Sequence, residues 1–121
     1  MSLVLDGSNG ITFPSGSTQN AACAAWVSFT GTTGAINASY NIASVTRTGT
    51  GLYTIVFTNA LTDANYAVVG MGQRLSSDGN NAGFVALNHS SNPTTTTFYL
   101  ATMDNAANQL DQNKVSVAVF R

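Results

Sequence analysis

Leu52-Tyr53-Thr54-Ile55-Val56-Phe57-Thr58 decides the fold. Its apolar and hydroxyl residues alternate with period two, placing Tyr53, Ile55 and Phe57 on one side of an extended chain and Thr54, Val56 and Thr58 on the other. Thr48-Gly49-Thr50-Gly51 stands just before it. Those glycines accept the positive φ of a tight turn, so residues 46–53 read as a hairpin. Working outward, Lys114 to Phe120 sets Val115, Val117 and Val119 against Ser116, Ala118 and Phe120. Tyr40, Ile42 and Ser44 alternate with Asn41, Ala43 and Val45. Further strands are expected near 24–29 (AAWVSF), 66–73 (YAVVGMGQ), 83–88 (GFVALN) and 96–102 (TTFYLAT), with turns at Ser77-Asp78-Gly79-Asn80-Asn81 and Ser91-Asn92-Pro93. Many short strands separated by regular turns indicate a sandwich or barrel. The best helical candidate, residues 101–112 (ATMDNAANQLDQ), is weakened by its Asn and Asp. The reading is all-β: an antiparallel, jelly-roll-like β-sandwich over residues 21–121, carrying an extended N-terminal arm over residues 1–20.

Composition narrows the function. Charged residues make up 7% of the 121-residue chain, against about 25% in an ordinary soluble domain. There are five Asp and no Glu; the cations are Arg47, Arg74, Lys114 and Arg121, and the net charge is −1. That balance offers no electrostatic footprint for nucleic acid or an anionic membrane, so neither is expected as a partner. Thr, Ser and Asn supply the polarity instead, 41 residues in all. A nearly uncharged chain is prone to self-association, which suits a protein whose working state is an assembly. Met1 to Asp6 has no basic n-region or apolar h-region of a secretory signal. Cys23, the only cysteine, rules out an internal disulfide.

The first twenty residues differ from the rest. Two short apolar pieces, Leu3-Val4-Leu5 and Ile11-Thr12-Phe13 with Pro14, are joined by Gly and Asn, and neither buries a face alone. This is the pattern of an assembly arm that pairs with a neighbouring subunit, with Leu3, Val4, Leu5, Ile11, Phe13 and Pro14 as its contacts.

Residues for chemistry are scarce. His89, the single histidine, lies in Asn88-His89-Ser90-Ser91-Asn92-Pro93, a strand end entering a turn, without the oriented carboxylate and nucleophile of a catalytic triad. Glycoside hydrolysis needs facing carboxylates, and Asp63, Asp78, Asp104 and Asp111 sit in turns or weakly patterned sequence. Asp78-Gly79-Asn80-Asn81 is too short a ligand series for an EF-hand. Gly70-Met71-Gly72 lacks the third glycine of a dinucleotide fingerprint and reads as a strand that another backbone approaches closely. Cys23, among alanines, reads as a packed small hydrophobe. Trp26, Phe29, Tyr40, Tyr53, Phe57 and Tyr66 read as core. The expectation is no catalytic residue, no metal and no cofactor. Loops carry recognition more often than strands, so the 74–82 and 88–95 loops, with Arg74, Asp78, Asn80, Asn81, His89 and Asn92, are the candidates for contact with a surface glycan.

Two stretches carry a resemblance. Gly10-Ile11-Thr12-Phe13-Pro14-Ser15-Gly16-Ser17-Thr18-Gln19 resembles an element of phage tail-fibre and related virion proteins. The ordered series from Ala25-Trp26-Val27-Ser28-Phe29 through Tyr53-Thr54-Ile55-Val56-Phe57 and Ala60-Leu61-Thr62-Asp63-Ala64-Asn65-Tyr66 to Val115-Ser116-Val117-Ala118-Val119-Phe120 is similar to their C-terminal β-sandwich head. The resemblance implies an intertwined homotrimer attached to a tailed-bacteriophage particle, made in the bacterial cytoplasm and exposed after lysis. Met1 stands just ahead of the first element, and MSLVLDGSNG reads as a natural start. The expectation is therefore a small capsid decoration (cement) protein or a short fibre knob, with a glycan-binding tail-fibre head as the alternative.

Overall fold

A computed structural model describes residues 4–6, 10–12, 18–19, 23–78 and 82–121. The chain is all-β. Three short strands, β1 (Val4–Asp6), β2 (Gly10–Thr12) and β3 (Thr18–Gln19), are followed by β4 (Cys23–Thr30), β5 (Ile36–Tyr40), β6 (Ile42–Gly49), β7 (Leu52–Phe57), β8 (Ala67–Gln73), β9 (Phe84–Leu87), β10 (Thr97–Met103) and β11 (Lys114–Phe120). A 3-10 turn, Ser76–Asp78, follows β8. Residues 101–112 are not helical: β10 runs through Met103, and Gln109 bridges back to it.

Two antiparallel sheets hold the core, ordered β5-β4-β11-β8 and β6-β7-β10-β9. Ala25, Val27 and Phe29 of β4 and Val115, Val117 and Val119 of β11 point inward from the first. They meet Ile42, Tyr53, Ile55, Phe57, Phe98 and Leu100 of the second in one buried cluster. The alternation of 52–58 is thus realised as read. Removing each such side chain from water contributes about 1.5–3 kcal/mol. The rings add edge contacts, Phe29 with Tyr53 at 5.0 Å and Phe57 with Tyr66 at 5.6 Å. Hairpin neighbours (β4–β5, β6–β7, β9–β10) dominate the order, and the first and last long strands, β4 and β11, pair.

The sheets are joined along both edges. At one, the chain passes from β5 to β6 through Asn41, in the left-handed conformation at φ 54°. Its side chain braces the corner, donating to the Ala24 carbonyl oxygen (3.1 Å) and accepting from the Asn59 amide (2.8 Å). At the other edge Gly72 of β8 bridges Gly83 ahead of β9. A Cβ on Gly83 would collide with the fully buried Gln112 side chain. Close approach is what Gly70-Met71-Gly72 suggested, and the approaching groups are the chain's own β9 and Gln112.

The 1–20 segment was expected to be an extended arm. Its described strands pair with one another: Val4, Leu5 and Asp6 with Thr12, Ile11 and Gly10, then Ile11 and Thr12 with Gln19 and Thr18. Among the described residues of the segment, strand pairing is thus internal, and an outside strand would add at β1 or β3. Leu3, Phe13 and Pro14 lie outside the described residues.

Candidate assembly surface

Period-two alternation that buries one set of side chains turns the other outward. In the sheet β5-β4-β11-β8 that outward set is also apolar. Register places Tyr40, Trp26, Ala118 and Val69 in one row across the four strands. Ala38, Ser28, Ser116 and Met71 form the next row, and Phe120 pairs with Ala67 beyond the first. Trp26 is 40% exposed, Tyr40 58%, Val69 54% and Met71 80%. Trp26 and Tyr40, expected in the core, therefore stand on the surface. In β4 the core positions go to Ala25, Val27 and Phe29, and parity leaves Trp26 facing out. Tyr40 precedes the Asn41 corner, so it and Ile42 do not share a face as their spacing suggested: Ile42 is buried.

The face has relief. Trp26 and Tyr40, paired across β4 and β5, make a ridge. Beside it, over Ser28, Ser116 and Ala118, lies a groove of about 520 Å³ walled on the far side by Val69 and Met71, with Lys114 at one end. The small residues of β11 make the depression and the larger ones of β4 and β8 its walls. Ser28 Oγ is closed off from solvent there and has no hydrogen-bond partner among the described residues. None of these four strands carries a carboxylate. Cys23, expected to be packed, is exposed at the corner of this face, opposite Phe120.

The outer face of β6-β7-β10-β9 is different. Thr46, Thr54 and Tyr99 form one row, and Ser44, Val56 and Thr97 another. Its exposed large apolar residue is Phe84 on the edge strand β9; Leu87, three residues on, is exposed at that edge but lies opposite the inward-facing Leu100.

Ionisable groups are engaged in holding the ends of the two sheets. Asp111 accepts from Arg47 Nε (3.0 and 3.1 Å), Arg47 Nη2 (2.7 Å) and the Gly51 amide (2.8 Å). The Tyr53 hydroxyl proton is shared between the Gly31 carbonyl oxygen (2.7 Å) and Asp111 Oδ1 (3.3 Å). Burial pushes the Asp111 carboxyl upward, but the Arg47 and Gly51 donors outweigh it and hold it below its ordinary value. Burial raises the Tyr53 phenol. At the opposite end Arg121 pairs with Asp63, whose carboxyl this partner and the Asn65 amide hold low. Among the described residues no three His, Cys, Asp or Glu side chains cluster as a metal site would require.

The loop residues singled out for recognition do not converge. Arg74 is half-buried and close enough to Asp104 to help hold its carboxyl low, after the larger effect of the Asn108 side chain. Asp78 ends the 3-10 turn, and Asn80 and Asn81 lie outside the described residues. His89 and Asn92 are exposed in the loop between β9 and β10, with the His89 ring 3.4 Å from Ser90 Oγ. One loop precedes β9 and the other follows it, so the two groups sit at opposite ends of that strand.

Sequence reading missed the apolar outer face. The signal was present: CAAWVSF, AVVGMG and VSVAVF are apolar at nearly every position. Runs of that kind belong to strands covered on both faces, whereas a half-exposed antiparallel strand alternates with polar residues. No family model, no curated protein and no solved structure matches the chain.

Proposed function

We propose that this chain is a non-enzymatic structural protein of a tailed-bacteriophage virion: a homotrimeric capsid decoration (cement) protein or short fibre knob that binds capsid or tail proteins and stabilises or decorates the particle. The observation that carries the reading is the outer face of β5-β4-β11-β8, where Trp26, Tyr40, Val69, Met71 and Phe120 are offered to solvent without a carboxylate among them. Contiguous apolar surface of this kind marks a contact with another macromolecule. The low overall charge and the resemblance to virion heads point the same way. A protein that binds the assembled shell and not its open form stabilises the shell by mass action. No intertwined or jelly-roll geometry is needed for that role; a trimer with one face per copy turned inward suffices.

Imaging purified virions at subunit resolution tests this directly. Hundreds of copies over the head establish a decoration protein, and a few trimers at the tail establish a knob. Absence from purified particles overturns the reading.

Trp26 beside Tyr40 favours a second reading, a tail-fibre head that recognises a host surface glycan, because paired exposed aromatic rings also suit stacking on a sugar. It predicts saturable binding to host polysaccharide, reduced tenfold or more by Tyr40→Ala on the order of one lost stacking contact. Equal binding by the variant removes it.

A further inference from the structure

We infer that the groove between Trp26 and Met71 is the seat of a second copy of this chain, filled by the neighbour's Trp26–Tyr40 ridge. The inference rests on the assembly reading above and says which surface performs it.

Area is the first argument. Tyr40, Trp26, Val69, Met71 and Phe120 are 40–80% exposed. At about 150–250 Å² for an aromatic side chain, they offer on the order of 500 Å², before the alanines are added. That lies at the top of what monomers leave open, ~300–600 Å². Divided between a ridge given to one neighbour and a groove offered to another, it supplies the apolar centre of each contact, and the rims around it make up the rest of the ~800 Å² per partner that a stable interface covers.

Charge is the second. The face carries Lys114 at its margin and no carboxylate. A strongly acidic or basic partner finds no complement here beyond that one marginal lysine, whereas a copy of the same face brings only its own Lys114, which is exposed and can stay at the rim.

Shape is the third. Ridge and groove lie side by side, over β5-β4 and over β11, so one copy can donate its ridge to a neighbour and receive another neighbour's ridge. Such a head-to-tail contact is heterologous, and a rotation of one third of a turn between copies closes it as a ring of three, the proposed trimer. Aromatic anchors seated in a pocket are the usual source of interface energy.

The full chain reports on itself. Trp26 is its only tryptophan, so emission follows this face alone. Mass by light scattering and Trp26 emission should be followed while the chain is diluted. The expected result is a trimer whose emission shifts to the red as it dissociates. Met71→Lys puts a charge at an 80% exposed position, with no carboxylate on the face to pair it. It should weaken association by on the order of 100-fold, the effect of about 2.7 kcal/mol, and expose Trp26. Val69→Lys should do the same, and Phe84→Lys, a comparable substitution on β9, should leave the trimer intact. Circular dichroism identical to the unmodified chain shows that each variant folds. A trimer unaffected by both groove variants overturns the inference and leaves the virion reading standing. So does Trp26 emission that reddens only when residues 1–22 are removed, which would make the N-terminal segment the cover. A chain that stays monomeric at every concentration also overturns it. Conversely, a groove-dependent trimer that is absent from virions sinks the functional reading and leaves the inference intact.

Discussion

The two ends of the paired sheets use the same chemistry, one arginine and one aspartate, to opposite degrees. At the end where β7 begins, Asp111 is 17% exposed and accepts from Arg47, Gly51 and Tyr53. At the other end Asp63, 36% exposed, pairs with Arg121, the last residue, and its other recorded partner is the Asn65 amide two residues on. The first pair ties β6, the β6–β7 turn and the segment before β11. The second ties the C-terminus to a loop. An ion pair's worth follows its burial and the number of its partners, so the first end should be a stability anchor and the second close to neutral.

The largest effect is expected at the anchor. Asp111→Asn leaves Arg47 facing a neutral amide and should lower unfolding free energy by about 2–3 kcal/mol, measured by urea denaturation. Its pH signature sharpens the contrast. The folded Asp111 carboxyl is held below its unfolded value, so its contribution is complete above about pH 4 and disappears as pH falls through the folded value. Stability of the unmodified chain should therefore fall with acid below about pH 4, and that of Asp111→Asn should fall less steeply. An equal slope in both would show that the anchor is no stronger than the exposed pair.

Asn41, at the other end, tests whether that end depends on something besides charge. Its side chain closes the corner through Ala24 and Asn59, and its backbone is left-handed. Asn41→Ala loses all three side-chain bonds, to the Ala24 carbonyl and to the Asn59 carbonyl and amide, and places a strained conformation on alanine, for about 1–2 kcal/mol. Asn41→Gly keeps the backbone free and should lose about half as much. If the two lose equally, the side-chain bonds hold the corner and the backbone conformation adds nothing.

Asn41 also marks where the fold was legible and where it was not. Alternation in 52–58 and 114–120 gave both strands and their inward faces, because one side of each is filled by Tyr53, Ile55 and Phe57 or by Val115, Val117 and Val119. From Tyr40 to Val45 the same alternation suggested one strand. A single left-handed residue breaks it into two that belong to different sheets, and nothing in a period-two count detects that. Trp26 fails for another reason: β4 is apolar on both parities, so alternation gives two faces without saying which is the core. The ion pairs were illegible because Arg47 and Asp111 are brought together by β7 and β10 across most of the chain, and no spacing reports it. For the candidate surface, β4, β8 and β11 were each recognised as strands, but their common outer face exists only once β11 is placed between the other two.

The smallest effect is expected at Asp63. Removing its charge by Asp63→Asn costs the pair with Arg121, yet both side chains keep water as an alternative partner, and the Asn65 amide can still bond the new side-chain carbonyl. Exposed pairs of this kind contribute little, because water screens them and ordering two side chains offsets the attraction. The loss should shrink further at 1 M salt, where the screening length falls to about 3 Å. The Asp111 effect should change little in the same salt, since Asp111 is largely enclosed. Measuring both variants at low and high salt therefore separates the two ends without reference to their absolute stabilities. Should Asp63→Asn prove as costly and as salt-insensitive as Asp111→Asn, the C-terminus would have to be held by a contact that removes Asp63 from water. An assembled neighbour over the adjacent Phe120 would supply one, and dilution to the dissociated chain would then abolish the difference.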